Sequence, residues 1–236
     1  MSDFRSYHKN LDSEEKRINL SPFESHHLVG TNRARVGDSV VVFNGMGVEW
    51  DCVLEEADKR CARLEKLTIH QTARSPVCIT LAIGIVKGKT FDIILRQATE
   101  LGVSKIQPLL TGRTIVQLKD VTSKLDKWQG HLIEGCKQSG NAWLPELAPP
   151  VTFKTFLTNN HLESAVVASL ESTAKSWSEI YPSESTTLFI GPEGDFSEEE
   201  YRELESKGAM PVSLGRYVLR SETAAVAAVS QLIAKF

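Results

Sequence analysis

"LFIGPEGDFSEEE", residues 188–200, begins with three apolar, β-prone residues and ends as a helix start. Between them stand Gly191, Pro192, Glu193, Gly194 and Asp195. Glycine admits close backbone approach and proline fixes φ, so this strand-to-helix turn reads as stiff and open to a ligand. The pattern returns in "VSLGRYVLRSETAAVAAV", residues 212–229. There Arg220 and Glu222 sit at a strand-to-helix junction, and Ser221 reads as the N-cap. A third strand end, "ASLEST", holds Leu170. Ligands of open parallel sheets bind beyond the carboxyl ends of the strands, which places all three stretches at one site.

Strands and helices alternate outward from this turn. "VCITLAIGIV" (77–86) is a continuous apolar run, as in a strand covered on both faces. "KTFDIILRQATELGV" places Phe91, Leu95, Ala98 and Leu101 on one helical face, with Gly102 as its stop. "KIQPLL" is a strand. "TSKLDKWQGHLIEGCKQSG" is a helix with Leu125, Trp128, Leu132 and Cys136 aligned and Gly140 beyond it. "SAVVASL", "TTLFIG" and "MPVSLG" are strands, and "SEEEYRELESKG" is a helix with Ser197 and Glu200 as a capping box. The terminal helix is alanine-rich, with Val226, Val229 and Ile233 at i, i+3 and i+7. That stripe reads as core or as a subunit interface. Residues 73–236 are therefore α/β with a mainly parallel sheet. Residues 1–72 read as all-β, with "NGMG" (44–47) turning between two strands, and suggest a small barrel.

The chain has 236 residues, 41% hydrophobic, and a net charge of −3. No gross basic excess points to nucleic acid, and the first 72 residues hold 10 basic and 12 acidic side chains. The N-terminus lacks the apolar core of a signal peptide, and no apolar run is long enough to span a bilayer, so the expected location is cytoplasmic. The four cysteines, Cys52, Cys61, Cys78 and Cys136, fit no zinc spacing and read as buried thiols. His26-His27, on a strand, would face opposite ways, and no metal is expected. No G-x-x-x-x-G-K-[ST] phosphate loop is present. The acidic turn at Glu193 and Asp195 suits a neutral or positively charged ligand, such as a sulfonium.

Together, "IGPEGDFSEEE" and "LGRYVLRSETAAVAAV" resemble the paired cofactor loops of the SPOUT methyltransferases. Within these, the chain most resembles the family that methylates N3 of a uridine in small-subunit (16S) ribosomal RNA. "HHLVGTNRARVGDSVVVFNGMG", "KGKTFDIILRQATELGVSKIQPLLTGRTIV" and "HLIEGCKQSGNAWLPEL" extend the likeness over nearly the whole chain. The resemblance implies a PUA-like β-barrel over 1–72, RNA-binding, then a SPOUT α/β domain over 73–236 with a C-terminal trefoil knot. It also implies a homodimer through the knot domain and S-adenosyl-L-methionine as methyl donor. Donor contacts carry over to Leu170, Ile190, Gly191, Pro192, Glu193, Gly194, Leu214, Gly215, Val218 and Leu219. Arg220, Glu222 and Glu193 are the catalytic candidates. RNA contacts are expected from Arg33, Arg35, Arg113 and Lys137, with the RNA in an assembled particle. The chain departs from the family at Asp195, where a second glycine is usual, and at Asn141, Asn32 and Arg96-Gln97. The alternatives are a SPOUT enzyme acting on another RNA nucleotide, a non-catalytic RNA-binding assembly factor, and a nucleotide-binding α/β protein.

Overall fold

A computed structural model describes residues 4–11, 14–114, 121–162, 164–171 and 173–236. Ile115 and Val116 of the quoted "GRTIV", and Ser172 of "ASLEST", lie outside them. The chain forms two compact units. The smaller takes the residues up to Arg74 together with Cys136–Leu144, and the larger takes Ser75–Gly135 and Pro145–Phe236.

The smaller unit contains β1 (Phe4–Tyr7), β2 (Arg17–Asn19), β3 (Ser39–Phe43), β4 (Val48–Glu56) and β5 (Arg63–Gln71). They form one five-stranded sheet in the order β1-β3-β4-β5-β2. Only the β1–β3 pair is parallel. Ile18, Leu28, Val40, Val42, Trp50, Leu54 and Leu64 are its buried apolar core. α1 (Pro22–Ser25) runs directly into a π-helical stretch, His26–Thr31. His26-His27 therefore lies on a helical turn, not on the expected strand. Of the cysteines, Cys52 and Cys136 are buried as expected, but Cys61 is exposed and Cys78 is partly so. Burial pushes the Cys52 and Cys136 thiols up to about 12, so both stay protonated at neutral pH.

The "NGMG" turn does more than join β3 to β4. Leu144 N donates to the Gly45 carbonyl, and Gly47 N donates to that of Ala142. A Cβ on Gly45 would lie 2.8 Å from Leu144 Cβ, and one on Gly47 2.5 Å from the Trp143 ring. Both glycines admit the returning 142–144 segment against the turn. Asn141 braces that segment, its Oδ1 accepting from Trp143 N at 2.9 Å.

The larger unit contains β6 (Cys78–Gly84), β7 (Lys105–Leu110), β8 (Glu146–Leu147), β9 (Val151–Thr152), β10 (Ala165–Ala168), β11 (Ser185–Ile190) and β12 (Met210–Val212). Its helices are α2 (Thr90–Glu100), α3 (Leu125–Ser139, in this unit through Gly135), α4 (Phe153–Asn159), α5 (Glu198–Ser206) and α6 (Ser221–Ile233). All of its strand pairs are parallel, in the order β12-β10-β11-β6-β7-β8, with β9 beside β7. Pro108 has no N–H to donate, and it falls in the gap where β7 pairs with neither β8 nor β9. Phe153, Phe156, Phe189, Phe196, Tyr201 and Leu204 dominate the core over one sheet face.

Lys137 has a different place from the expected one. Its ammonium is 3.1 Å from both Glu24 carboxylate oxygens, and the two side chains are only 7% and 5% exposed. Glu24 also accepts from Tyr7 N. Lys137 thus holds the smaller unit together and presents no free charge to RNA. Removing one partner of such a pair strands the other charge in the interior. Lys137→Met is expected to cost about 3–5 kcal/mol in urea denaturation, and Glu24→Gln added to it should recover much of the loss. Full stability in the single variant would show the pair to be dispensable.

Candidate functional site

β12, β10 and β11 are neighbours in the sheet, so the segments leaving their carboxyl ends meet. Between them lies a cavity of about 560 Å³. Nine of the ten expected donor residues line it: Leu170, Ile190, Gly191, Pro192, Glu193, Leu214, Gly215, Val218 and Leu219. Gly194 does not line it. Its carbonyl instead accepts from the Arg113 guanidinium at 2.6 Å. Arg220 and Glu222 stand on the wall with Asp195 of the acidic turn, and sequence reasoning missed Thr90, Ala168, Ser169, Tyr217, Ser221 and Ala224. Leu170, Tyr217 and Val218 are 62%, 74% and 76% exposed at its rim. Apolar groups so open to water are surfaces that a bound molecule would cover.

Local chemistry explains the rigid turn. Asp195 N donates to the Pro192 carbonyl at 2.9 Å. A Cβ on Gly84, at the end of β6, would lie 2.5 Å from Pro192 Cδ and 2.6 Å from Pro192 N. Gly84 therefore lets the proline ring lie directly on the neighbouring strand. No sequence signal singled it out, because its partner is more than 100 residues away. A Cβ on Gly191 would lie 2.5 Å from Asp195 Oδ1, so the aspartate occupies the space that the glycine leaves.

Asp195 sits at φ 60°, a conformation aspartate tolerates better than most residues. Its Oδ1 accepts from Phe196 N at 2.8 Å. The Tyr201 hydroxyl lies 3.0 Å from both carboxylate oxygens and 3.1 Å from the Ala168 carbonyl. Asp195 thus replaces a glycine's conformational ease with hydrogen bonds that tie the turn to α5 and to the end of β10. Burial first, and the Asp195 charge second, push the Tyr201 phenol well above its ordinary range. Glu193 is also engaged, its Oε1 accepting from Lys87 N at 3.1 Å. The acidity of the motif is therefore engaged in part within the fold, while both residues also line the cavity. Glu200 completes the capping box with Ser197 and accepts from Gly112 N at 2.8 Å, holding the segment after β7 against α5.

α6 begins one residue earlier than the Ser221 reading. Arg220 is its N-cap, with no side-chain cap bond, and Ser221 is the first helical residue. The Arg220 guanidinium has no partner among the described residues and stands exposed on the cavity wall. Glu222 is half-buried in the first turn, where a helix favours negative charge. The helix buries Ala225, Ala228, Val229 and Leu232, leaving Val226 half-buried and Ile233 exposed. In the smaller unit Arg33 and Arg35 are exposed, Arg33 at φ 62°, with no side-chain partner among the described residues. No group of three His, Cys, Asp or Glu among the described residues could hold a metal, and none of their helices is long and apolar enough to cross a membrane.

A family model of the RNA methyltransferase domain matches residues 73–233, and one of the RNA methyltransferase PUA domain matches residues 24–67. Ribosomal RNA small subunit methyltransferase E of Synechocystis sp. is 34% identical over 227 residues, 92% of this chain and 73% of that protein. The chain belongs to this RNA methyltransferase family. The enzyme of the same name from Aquifex aeolicus is 33% identical over 77% of this chain and 80% of its own. Among solved structures, a Legionella pneumophila protein in complex with bound cofactor SAM superposes with a TM-score of 0.92 at 31% identity, covering 99% of this chain and 98% of that one. Ribosomal RNA small subunit methyltransferase E of Neisseria gonorrhoeae, bound to S-adenosyl methionine, gives 0.87 at 28% identity over 98% and 96%.

Two outcomes test this geometry. Gly84→Ala is expected to cost about 1–3 kcal/mol in urea denaturation, since the new methyl group meets backbone and a ring that cannot swing away; an equally stable variant would mean that the Pro192 turn moves freely. The folded chain holds the Tyr201 proton more tightly than the unfolded chain does. The resulting stability is complete below the ordinary phenol value of 10.0 and declines as pH rises past it. Tyr201→Phe should flatten part of that alkaline decline, and an unchanged pH profile would contradict the assignment.

Proposed function

We propose that this chain transfers the methyl group of S-adenosylmethionine to N3 of a uridine in small-subunit ribosomal RNA. The observation that carries the reading is the cavity itself. Three adjacent strand ends supply nine residues of the donor pattern and leave one unpaired guanidinium, Arg220, on its wall. Its volume, about 560 Å³, falls in the range of small-ligand sites. The donor's bound state in the two relatives, and the family itself, support the same assignment.

In the proposed reaction uridine N3 attacks the donor methyl carbon as the carbon–sulfur bond breaks. The sulfonium leaves as a neutral thioether, and the N3 proton passes to a base. Attack needs in-line placement, which the rigid 191–195 turn and the rim residues Leu170, Tyr217 and Val218 would impose on the two reactants. Negative charge develops on the uracil oxygens as the proton leaves, and Arg220 is placed to stabilise it. Glu222 is the preferred base, since Glu193 is engaged with Lys87 N. Arg33 and Arg35 keep free charge for RNA phosphates, and Arg113, held on Gly194, would meet RNA only beside the donor turn. The knotted C-terminal topology and a homodimer through α6 belong to the same proposal; the outward Val226 and Ile233 support the dimer.

The test combines purified protein, labelled S-adenosylmethionine and small ribosomal subunits lacking native methylation, followed by nucleoside mass spectrometry. The expected product is 3-methyluridine. Arg220→Ala should lower kcat by about 10²–10³-fold with donor affinity little changed. A different methylated nucleoside would overturn the N3 assignment, and parallel loss of donor affinity and kcat would make Arg220 a binding residue.

A further inference from the structure

A second concavity, also about 560 Å³, lies in the larger unit and is lined by Lys87, Lys89, Lys124 and Lys127 around a floor of Phe91 and Trp128. The whole chain is net negative, so four ammonium groups around one hollow run against its overall charge. The hollow's one carboxylate, Asp92, is already matched by Lys127 at 2.6 Å, with His131 Nε2 at 3.5 Å. Lys87, Lys89 and Lys124 are exposed and have no side-chain partner among the described residues.

Their placement is electrostatically unfavourable for the isolated fold. Lys89 is the N-cap of α2 and makes no side-chain cap bond, and Lys87 precedes it by two residues. Cations at a helix N-terminus oppose the helix dipole, where Asp, Ser or Thr would stabilise it. Such an arrangement is relieved when an anion enters, since the free helix N–H groups and the ammonium groups then share one partner. The Phe91 and Trp128 rings, with centroids 4.6 Å apart, make the floor firm.

The hollow adjoins the donor cavity along the chain. Thr90 lines the cavity, while Lys89, its neighbour, lines the hollow. Lys87 lines the hollow, and its backbone N–H is bonded by Glu193 of the donor turn. We infer that this lysine-lined hollow holds a backbone phosphate of the RNA substrate, next to the nucleotide presented to the donor cavity. The inference rests on the methyl-transfer reading for its substrate. Its physical content is that Lys89 and Lys124 bind a phosphodiester, and that this interaction positions RNA rather than carrying out chemistry.

The experiment compares wild type with the Lys89→Gln, Lys124→Gln double variant. Affinity for unmodified small-subunit ribosomal RNA is measured by fluorescence anisotropy across a salt series. The slope of log affinity against log salt should become shallower by about 0.7 for each phosphate that the variant no longer neutralises. The KM for RNA should rise at least about fivefold, with kcat at saturating RNA and S-adenosylmethionine affinity unchanged. The Tm should hold or rise, because two unfavourable cations are gone; a merely structural pair of lysines would lower it. An unchanged salt slope and KM would overturn the inference. So would inorganic phosphate binding that is lost in the double variant but leaves RNA affinity unaffected, which would make it a small-anion site. If wild type binds RNA with the lysine-dependent slope yet forms no 3-methyluridine, the methylation reading fails and the phosphate site stands. If methylation proceeds and the slope is lysine-independent, the reverse holds.

Discussion

The Pro192 ring lies where any side chain on Gly84 would have to be, and the site is built on that packing. It forces the chain leaving β11 to fold flat over the end of β6. The turn so formed is then locked from its other side, where Asp195 joins the Pro192 carbonyl, the Phe196 amide and the Tyr201 hydroxyl. Glu193 fastens the same turn to the segment after β6, and Arg113 fastens Gly194 to the segment after β7. Both acidic side chains of the motif thereby have partners in the fold. What remains open toward the cavity is main chain and apolar side chain, with Arg220 and Glu222 as further charged groups on its wall.

Charge is instead sorted by location. The acidic groups of the 191–195 turn have hydrogen-bond partners within the fold, and Lys137 is withdrawn into a buried pair with Glu24. The unpaired cations among the described residues include Arg33 and Arg35 in one unit and Arg220 and the Lys87, Lys89 and Lys124 group in the other. A chain with net charge −3 can therefore offer RNA a few positive points without being basic overall. Phosphate contacts in general set position and salt sensitivity and carry no direct sequence information.

Much of the larger unit was legible because its signals are local. The apolar run at 77–86, the periodic faces around Phe91 and Trp128, and the Ser197–Glu200 box each fall within one element, and β6, α2, α3 and α5 follow them. β1 and β2 were missed, being four and three residues long with one buried position each. The helical turn at Pro22–Thr31 was hidden by adjacent histidines and a glycine that mimic a strand and its turn. Serine caps helices well, which favours Ser221, but the chain turns one residue earlier and Arg220 takes the capping position without a capping bond.

The sequence by itself determined the alternation of strand and helix, the three strand ends that meet at the cavity, and nearly all of the expected donor residues that line it. These follow from periodicity and turn chemistry, which act over a few residues. Only the tertiary structure decided that Cys136–Leu144 packs with the smaller unit, that Lys137 is buried, that Gly84 supports Pro192, and that Lys87, Lys89, Lys124 and Lys127 surround one hollow. Each of these depends on a partner distant along the chain, and such pairings leave no period in the sequence. Whether a charge is free or buried, and whether a glycine is a turn or a seat for another residue, is settled by what the fold brings against it.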